Sequence, residues 1–186
     1  MGHREDLLDG AVRCLREKGY ARTTARDIVA ASGTNLASIG YHYGSTQALL
    51  NAAVVKSLED FGTEMARAAA AAPGATTLER FERFWTNVIE SFRDSREIWL
   101  ATFDIFSVAQ RDPEVRAIVA DGLEGGRQLW AQLVFGDDAR DVGSLLQALL
   151  SGVLVQWLVD PDRAPSAREL SGAMLTLAQR VTGERP

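Results

Sequence analysis

Apolar residues recur at helical spacing along most of this 186-residue chain. In the first such stretch, Leu7, Ala11 and Leu15 follow one another at intervals of four, which places them on one face of a helix from about Arg4 to Lys18. Later stretches repeat this period, and none convincingly shows the alternation of apolar and polar residues that is typical of a strand. We therefore predict an all-α fold of about nine helices.

Residues 23–50 contain two short helical patterns on either side of a glycine turn. Thr24 and Asp27 have the spacing of a capping box at the start of the first pattern. Gly33 suits the position after its end, where a positive φ is needed, and Thr34 is predicted to cap the second helix. Two helices joined by such a turn form a helix-turn-helix, whose second helix can enter the DNA major groove.

The remaining apolar pattern predicts six further helices, the first of them long. It begins after Ser45, which is predicted to cap it, and ends in the alanine run of residues 68–72. Capping signals open four of the others: Thr76 with Glu79, Asp112 before Pro113, Asp138 with Asp141, and Ser166 with Glu169. Three glycines weaken the seventh helix locally and allow a break or bend there: Gly122, Gly125 and Gly126. The eighth helix has a wide apolar stripe, which indicates burial on two sides.

This pattern predicts two domains. Residues 1–48 would form a three-helix head, and residues 49–186 a larger helical domain. The net charge is −5, but residues 1–50 hold six basic and five acidic residues, so the remainder carries −6. The less acidic head is therefore the better partner for nucleic acid.

Composition excludes several other classes of site. The single cysteine, Cys14, rules out an intrachain disulfide and a multi-cysteine metal site, and its helical position favours a buried structural role. We predict no metal and no cofactor. The longest apolar run, residues 145–159, is interrupted by three polar residues and is shorter than a membrane span, so a cytoplasmic protein is expected.

The head resembles the tetracycline-repressor-like (TetR) family of transcriptional regulators. The residues that carry the resemblance are Gly19-Tyr20, Thr23-Thr24, Ile28-Val29-Ala30, Ser32-Gly33 and the run from Ile39 to Leu50 (IGYHYGSTQALL). The resemblance implies a DNA-binding head and a C-terminal domain that dimerises and binds a small effector. It covers about the first fifty residues closely, and only the architecture agrees beyond them.

The family motif assigns DNA contacts to the start of each helix and to the second helix itself. The predicted DNA-contacting residues are Thr24, Arg26, Asn35, Leu36, Ala37, Ser38, Gly40, Tyr41, His42 and Thr46. Tyr43 is expected to pack in the core of the head instead. Two residues depart from the family pattern, which usually has a lysine in place of Thr46 and often a tyrosine in place of Gly40. These departures remove a cationic phosphate contact and weaken base readout.

Aromatic residues are dense between positions 81 and 135. Each one alone fits core packing, but together they favour a largely apolar effector cavity. The predicted pocket residues are Phe81, Trp85, Trp99, Phe103, Phe106, Arg127, Trp130 and Gln147. The last two helices are expected to pair with those of a second copy, through Leu146, Leu150, Val153, Leu154, Trp157, Met174 and Leu177.

These features predict a ligand-responsive transcriptional repressor that binds palindromic operator DNA as a homodimer and is released by a small, largely apolar effector. A transcriptional activator or a helical interaction protein without enzymatic activity is the alternative. An enzyme is not expected, because the chain lacks a glycine-rich phosphate loop, a nucleophile elbow, a CxxC and an HExxH motif.

Overall fold

The computed structural model describes residues 3–72, 74–136 and 139–183. Within these residues the chain forms nine α-helices and no strand, which confirms the all-α prediction. The helices are α1 (His3–Lys18), α2 (Ala25–Ser32), α3 (Leu36–Tyr43), α4 (Thr46–Ala70), α5 (Thr77–Asp94), α6 (Arg96–Ala109), α7 (Pro113–Phe135), α8 (Arg140–Val159) and α9 (Ala167–Thr182).

Side chains cap several of these helices where the sequence predicts it. Before α5, the Thr76 backbone N–H donates to Glu79 Oε2 at 2.8 Å, and the Glu79 N–H donates to Thr76 Oγ1 at 3.3 Å. Ser166 and Glu169 form the same reciprocal pair before α9. Asp112 Oδ1 accepts a backbone N–H from the first turn of α7 at 2.9 Å. These boundaries are therefore set by local hydrogen bonds.

The start of α3 differs from the prediction. Asn35, not Thr34, is the N-cap, and its side chain accepts a first-turn N–H at 3.1 Å. Thr34 belongs instead to the end of α2, because its N–H donates to the Val29 carbonyl at 3.2 Å and its hydroxyl lies 2.7 Å from that of Ser32. Asp138, which is predicted to open α8, lies outside the described residues.

The helix α7 continues from Pro113 to Phe135, so the break that its glycines allow does not occur. At Gly126 an added Cβ would lie 2.8 Å from Gln147 Oε1 and 3.3 Å from Trp130 Nε1. This glycine therefore makes room for a neighbouring polar side chain.

The chain divides into two compact units. The first comprises Met1–Gly62 and Ser95–Glu124, and the second comprises Thr63–Asp94 and Gly125–Pro186. The helices α4 and α7 each supply residues to both units. The division by packing thus differs from the predicted functional boundary at residue 48, which stays a prediction.

Each unit has its own apolar core. In the first, fully buried side chains from α1, α2 and α4 pack together with residues of α6 and the start of α7. Cys14 lies in this core, where burial raises the pKa of its thiol. In the second, α5 packs against α8 and α9, and Trp85, Val88 and Leu146 are among the least exposed residues.

Candidate functional site

Two buried isoleucines anchor the helix-turn-helix. Ile28 of α2 and Ile39 of α3 are both in the core of the first unit, with exposed fractions of 0% and 4%. Gly33 ends α2 with a φ of 68°, in the left-handed region that glycine adopts without strain. The two anchors and the glycine turn together fix the position of α3.

A close crossing with α1 also positions α2. A Cβ added at Gly10 would lie 2.8 Å from Ser32 Cβ and 3.1 Å from the Ile28 carbonyl oxygen. The Arg13 guanidinium donates a hydrogen bond to the Ala31 carbonyl at 2.5 Å. The orientation of α2 therefore depends on the absence of a side chain at Gly10 of α1.

A capping box at the start of α2 confirms the prediction for Thr24 and Asp27. The Thr24 N–H donates to Asp27 Oδ2 at 2.9 Å, and the Asp27 N–H donates to Thr24 Oγ1 at 3.3 Å. A hydrogen bond from the Lys18 ammonium, followed by those from Thr24, holds the pKa of Asp27 far below its usual range. Because the Thr24 hydroxyl also donates to Asp27 at 2.6 Å, a phosphate contact by Thr24 would have to replace a capping bond.

None of the ten predicted DNA-contacting residues is buried in the described chain. The exposed ones are Thr24, Arg26, Asn35, Leu36, Ala37, Gly40 and Tyr41, and the half-buried ones are Ser38, His42 and Thr46. All ten lie on α2, α3, the start of α4 or the residues that immediately precede α2 and α3. This placement is compatible with the prediction and leaves the individual contacts as expectations.

The exposed face of α3 is apolar at its start and aromatic at its end. Leu36 is 53% exposed and Tyr41 is 86% exposed. The Tyr41 ring meets the His42 ring edge-on, with 4.8 Å between centroids. Asn35 uses its carbonyl oxygen, not its amide nitrogen, to cap the helix. The face therefore offers flat rings and few charged groups.

Tyr43, in contrast to the exposed Tyr41, packs on α1, as predicted. Its hydroxyl donates to the Arg4 carbonyl oxygen at 2.8 Å, and the Arg4 guanidinium lies 5.5 Å from the ring centroid. Tyr43 therefore holds the end of α3 against the head.

A polar cluster around Tyr20 was not evident from the sequence. The Tyr20 hydroxyl donates to Asn51 Oδ1 at 2.5 Å and accepts from the side-chain amide of Gln47. Burial, and secondarily the charge of Asp104, raises the pKa of Tyr20 to about 12, so the hydroxyl keeps its proton. The cluster joins the α1–α2 connection to the first turns of α4. The sequence carries no local signal for this cluster, because the partners lie 27 and 31 residues further along the chain.

The predicted effector residues fall in both units. In the first, Trp99 is buried and its ring lies 5.0 Å from that of Phe61. Phe103 and Phe106 form an edge-on pair, and they are 41% and 37% exposed. They are therefore surface residues of α6 in this unit.

In the second unit, the predicted residues Phe81, Trp85 and Trp130 are buried in one aromatic cluster. Phe84, which was not predicted, joins it: its ring centroid lies 5.3 Å from Trp85 and 5.5 Å from Trp130. Trp130 Nε1 donates to Gln147 Oε1 at 2.8 Å, so Gln147 serves as a polar partner inside the unit. The predicted Arg127 is half-buried on α7.

A groove of the second unit borders this cluster. It is lined by Met65, Ala68, Ala69, Ala72, Arg80, Arg83, Phe84, Asn87 and Leu133, and its cavity volume is about 20 Å³. Phe84 is thus shared by the groove and the aromatic cluster. This volume is close to that of a single water-sized sphere, so a larger guest requires the groove to widen.

Most of the predicted dimer residues are already buried within the second unit. Leu146, Leu150, Val153, Leu154 and Trp157 have exposed fractions of 1%, 5%, 3%, 5% and 8%. Their side chains are therefore occupied by their own chain, because the wide stripe of α8 faces inward there. Of the other two, Met174 is half-buried and Leu177 is 55% exposed.

Comparisons with known proteins agree with this architecture. Residues 7–53 match the family model for bacterial regulatory proteins of the tetR family, and residues 76–178 match that for a tetracyclin repressor-like C-terminal domain. The HTH-type transcriptional regulator BetI of Rhizobium meliloti is 26% identical over 178 residues, covering 92% of this chain and 84% of BetI.

Solved structures share the fold. The multidrug binding protein EbrR, in complex with imidazole, is 25% identical with a TM-score of 0.65, covering 93% of this chain and 94% of EbrR. EbrR has also been solved with proflavin. The fatty acid degradation regulator FadR of Bacillus halodurans is 16% identical with a TM-score of 0.66, covering 95% of this chain and 94% of FadR.

Proposed function

This chain belongs to the tetR family of bacterial transcriptional regulators, with a DNA-binding helix-turn-helix and a ligand-binding C-terminal domain, and from that premise we propose that it is a repressor. It binds palindromic operator DNA as a homodimer and leaves it when a small, largely apolar effector binds. The observation that carries the DNA-binding role is the exposed face of α3, held on the core by Ile39 and flanked by the turn at Gly33. An activator with the same head is the alternative.

The recognition helix is proposed to read DNA through shape and apolar contact. Leu36 is suited to packing on a thymine methyl group, since it has no hydrogen-bonding group. Tyr41, His42 and Thr46 supply hydrogen-bond donors for phosphates. Two heads about 34–36 Å apart would place their α3 helices in successive major grooves of a near-palindrome.

The homodimer is proposed to form through the outer faces of α8 and α9. On α8, Leu145, Val155 and Val159 are 48%, 44% and 80% exposed. The whole helix is strongly apolar, yet only 33% of its most apolar 18-residue stretch is buried in this chain. A second copy of the same face would cover this surface, as symmetric dimers do. The proposed interface therefore uses exposed residues of α8 in place of the five buried residues that the sequence predicted. Leu177 of α9 remains part of it.

The effector is proposed to act from the second unit. EbrR has been solved with imidazole and with proflavin, which shows that a related fold accommodates small molecules. An effector shifts the protein between conformations only by binding one of them more tightly. An effector that fits only the widened groove beside Phe84 would bind that conformation more tightly and so shift the protein toward it.

The cellular location of the protein and the absence of catalysis follow from this proposed role. A regulator that binds operator DNA works in the cytoplasm of a bacterium. The relatives are transcriptional regulators, so we infer that this chain has no catalytic activity and needs no cofactor.

Selection from random double-stranded DNA tests the proposed function directly. Purified protein should enrich a near-palindrome at low salt, with half-sites about one helical turn apart. A matched control with Leu36→Glu and Tyr41→Glu in α3 should enrich nothing, because both changes place a negative charge on the DNA-facing side. Failure of the unaltered protein to enrich any palindrome contradicts the proposal.

Replacing Thr46 with lysine should strengthen DNA binding. The added cation would contact one phosphate per subunit, so the slope of log K against log salt should steepen by about 1.8 for the dimer, at ~0.9 per contact. Binding titrations over a series of salt concentrations measure this slope. Lysine at a helix start costs about 0.3–1 kcal/mol of stability, which urea unfolding measures separately.

Two controls isolate the charge at position 46. Thr46→Gln adds length without charge, and Gln128→Lys adds the same charge at an exposed position of α7; both should leave the slope unchanged. An unchanged slope for Thr46→Lys would show that position 46 does not face a phosphate.

A further inference from the structure

The buried tryptophans of the second unit differ in their hydrogen bonding. Trp130 Nε1 donates to Gln147 Oε1 at 2.8 Å, and Trp157 Nε1 donates to the Pro165 carbonyl at 3.0 Å. Trp85 is 0% exposed, and its Nε1 has no acceptor within the part of the chain that the structure describes. Buried donors in native proteins are nearly always paired, so this N–H requires an explanation.

Trp85 lies next to the groove of the second unit. Phe84 lines the groove, and its ring packs edge-on against the Trp85 ring at 5.3 Å. Movement of the Phe84 ring would therefore extend the groove toward the Trp85 indole. The rest of the aromatic cluster would then form an apolar wall around any guest.

The charges of the groove select against cations. Arg80 and Arg83 line it, and none of its nine lining residues is acidic. Arg80 is held by the carbonyl oxygens of Val134 and Ala75, each at 2.8 Å, which are neutral acceptors. Glu79 is one turn from Arg83. Its carboxylate accepts the capping bonds of Thr76, which, with a smaller contribution from the Arg83 charge, lower its pKa, so one acidic neighbour faces two groove arginines.

We propose that the effector is a non-cationic apolar molecule with an oxygen acceptor, which passes Phe84 and accepts the hydrogen bond of Trp85 Nε1. This proposal rests on the effector function proposed above and specifies the chemistry of its ligand. A neutral oxygen such as a carbonyl satisfies the indole N–H without burying a charge.

Three isosteric probes test this class of ligand on the full-length protein. They are 2-acetylnaphthalene, with a carbonyl acceptor; 2-isopropylnaphthalene, with none; and 2-(1-aminoethyl)naphthalene, a cation at neutral pH. We expect the acetyl probe to bind the unaltered protein about fivefold or more tightly than the isopropyl probe, measured by calorimetry. The amine should bind more weakly than either.

Trp85→Phe removes the N–H and retains an aromatic ring. In this variant the preference for the acetyl over the isopropyl probe should disappear or reverse, because the carbonyl still loses its hydration and no longer has a donor. The difference between the two preferences gives the coupling between the N–H and the carbonyl. Trp157→Phe is the matched control, because Trp157 lies outside this cluster and its N–H already donates to the Pro165 carbonyl. It loses a hydrogen bond that is already made, so it should be the less stable variant and yet keep the preference.

Nuclear magnetic resonance gives a readout that a purely structural role would not change. The indole N–H signal that disappears in Trp85→Phe should move downfield with the acetyl probe and not with the isopropyl probe. A preference that survives in Trp85→Phe, equal binding of the two neutral probes, tighter binding of the amine, or binding of neither neutral probe by the unaltered protein would each overturn the proposal.

The outcome is separable from that of the proposed function. Enrichment of operator DNA is measured without any probe and depends on the head. If DNA is enriched and the acetyl preference is absent, only the ligand class is wrong. If the preference is present and no DNA is enriched, the ligand class stands and the regulator function fails.

Discussion

Alanine at Gly143 should destabilise the protein by about 3 kcal/mol, the upper range for overpacking in a core. An added Cβ would lie 2.0 Å from the Arg127 carbonyl oxygen, 2.8 Å from the Arg127 carbonyl carbon and 3.3 Å from Ala131 Cβ. The first two atoms belong to the backbone of α7, which no side-chain rotation can move away. The start of α8 and the middle of α7 would therefore have to separate within the second unit.

Gly125→Ala provides the matched control for this substitution. Gly125 lies on α7, and nothing lies within 4 Å of a Cβ added there. Alanine should then stabilise the helix by about 0.5–1 kcal/mol, because it has the better helix propensity. Urea unfolding followed by circular dichroism measures both variants. Equal stability of Gly143→Ala and the unaltered protein would mean that α7 and α8 are not packed this closely.

The parts of the fold that depend on residues close together in the sequence could be predicted from it. The boxes of Thr24 with Asp27, Thr76 with Glu79, and Ser166 with Glu169 each join residues three apart, so their hydrogen bonds are visible as spacing. Helical periodicity likewise gave the all-α class. The frame of the helix-turn-helix follows from the same local signals.

The start of α3 shows how two adjacent capping residues can mislead. Thr34 and Asn35 are both good N-caps, and the choice between them depends on where α2 ends. The bond from the Thr34 N–H to the Val29 carbonyl places Thr34 in the end of α2. Asn35, as the next residue, then caps α3.

Contacts between distant residues explain the remaining differences. Nothing local reveals that Tyr20 bonds to Asn51, or that the glycine at position 143 faces a carbonyl of α7. The width of the α8 stripe indicated burial on two sides but not which side lies against its own chain. The predicted interface residues of α8 therefore fell on the inner side, whereas Leu145, Val155 and Val159 occupy the outer one.

This outer face leads to the second large expected effect, that Val155→Arg converts the proposed dimer to a monomer. Val155 is 44% exposed and lies between Leu145 and Val159 on the outer face of α8. Arginine there would place a charge in the middle of an apolar interface without disturbing the core of the second unit. Light scattering should give the mass of one chain, and the circular dichroism spectrum should be unchanged.

The same variant should lose operator affinity by about 100-fold or more, because two linked heads bind far more tightly than one. The added positive charge would by itself favour DNA binding, so a loss of affinity cannot come from electrostatics.

Two control variants complete this test. Ile118→Arg, on an exposed residue of α7, carries the same charge and should remain a dimer with full affinity. Leu154→Arg, at a residue only 5% exposed, should unfold the second unit instead of giving a folded monomer. A dimeric Val155→Arg protein would place the interface elsewhere on the surface.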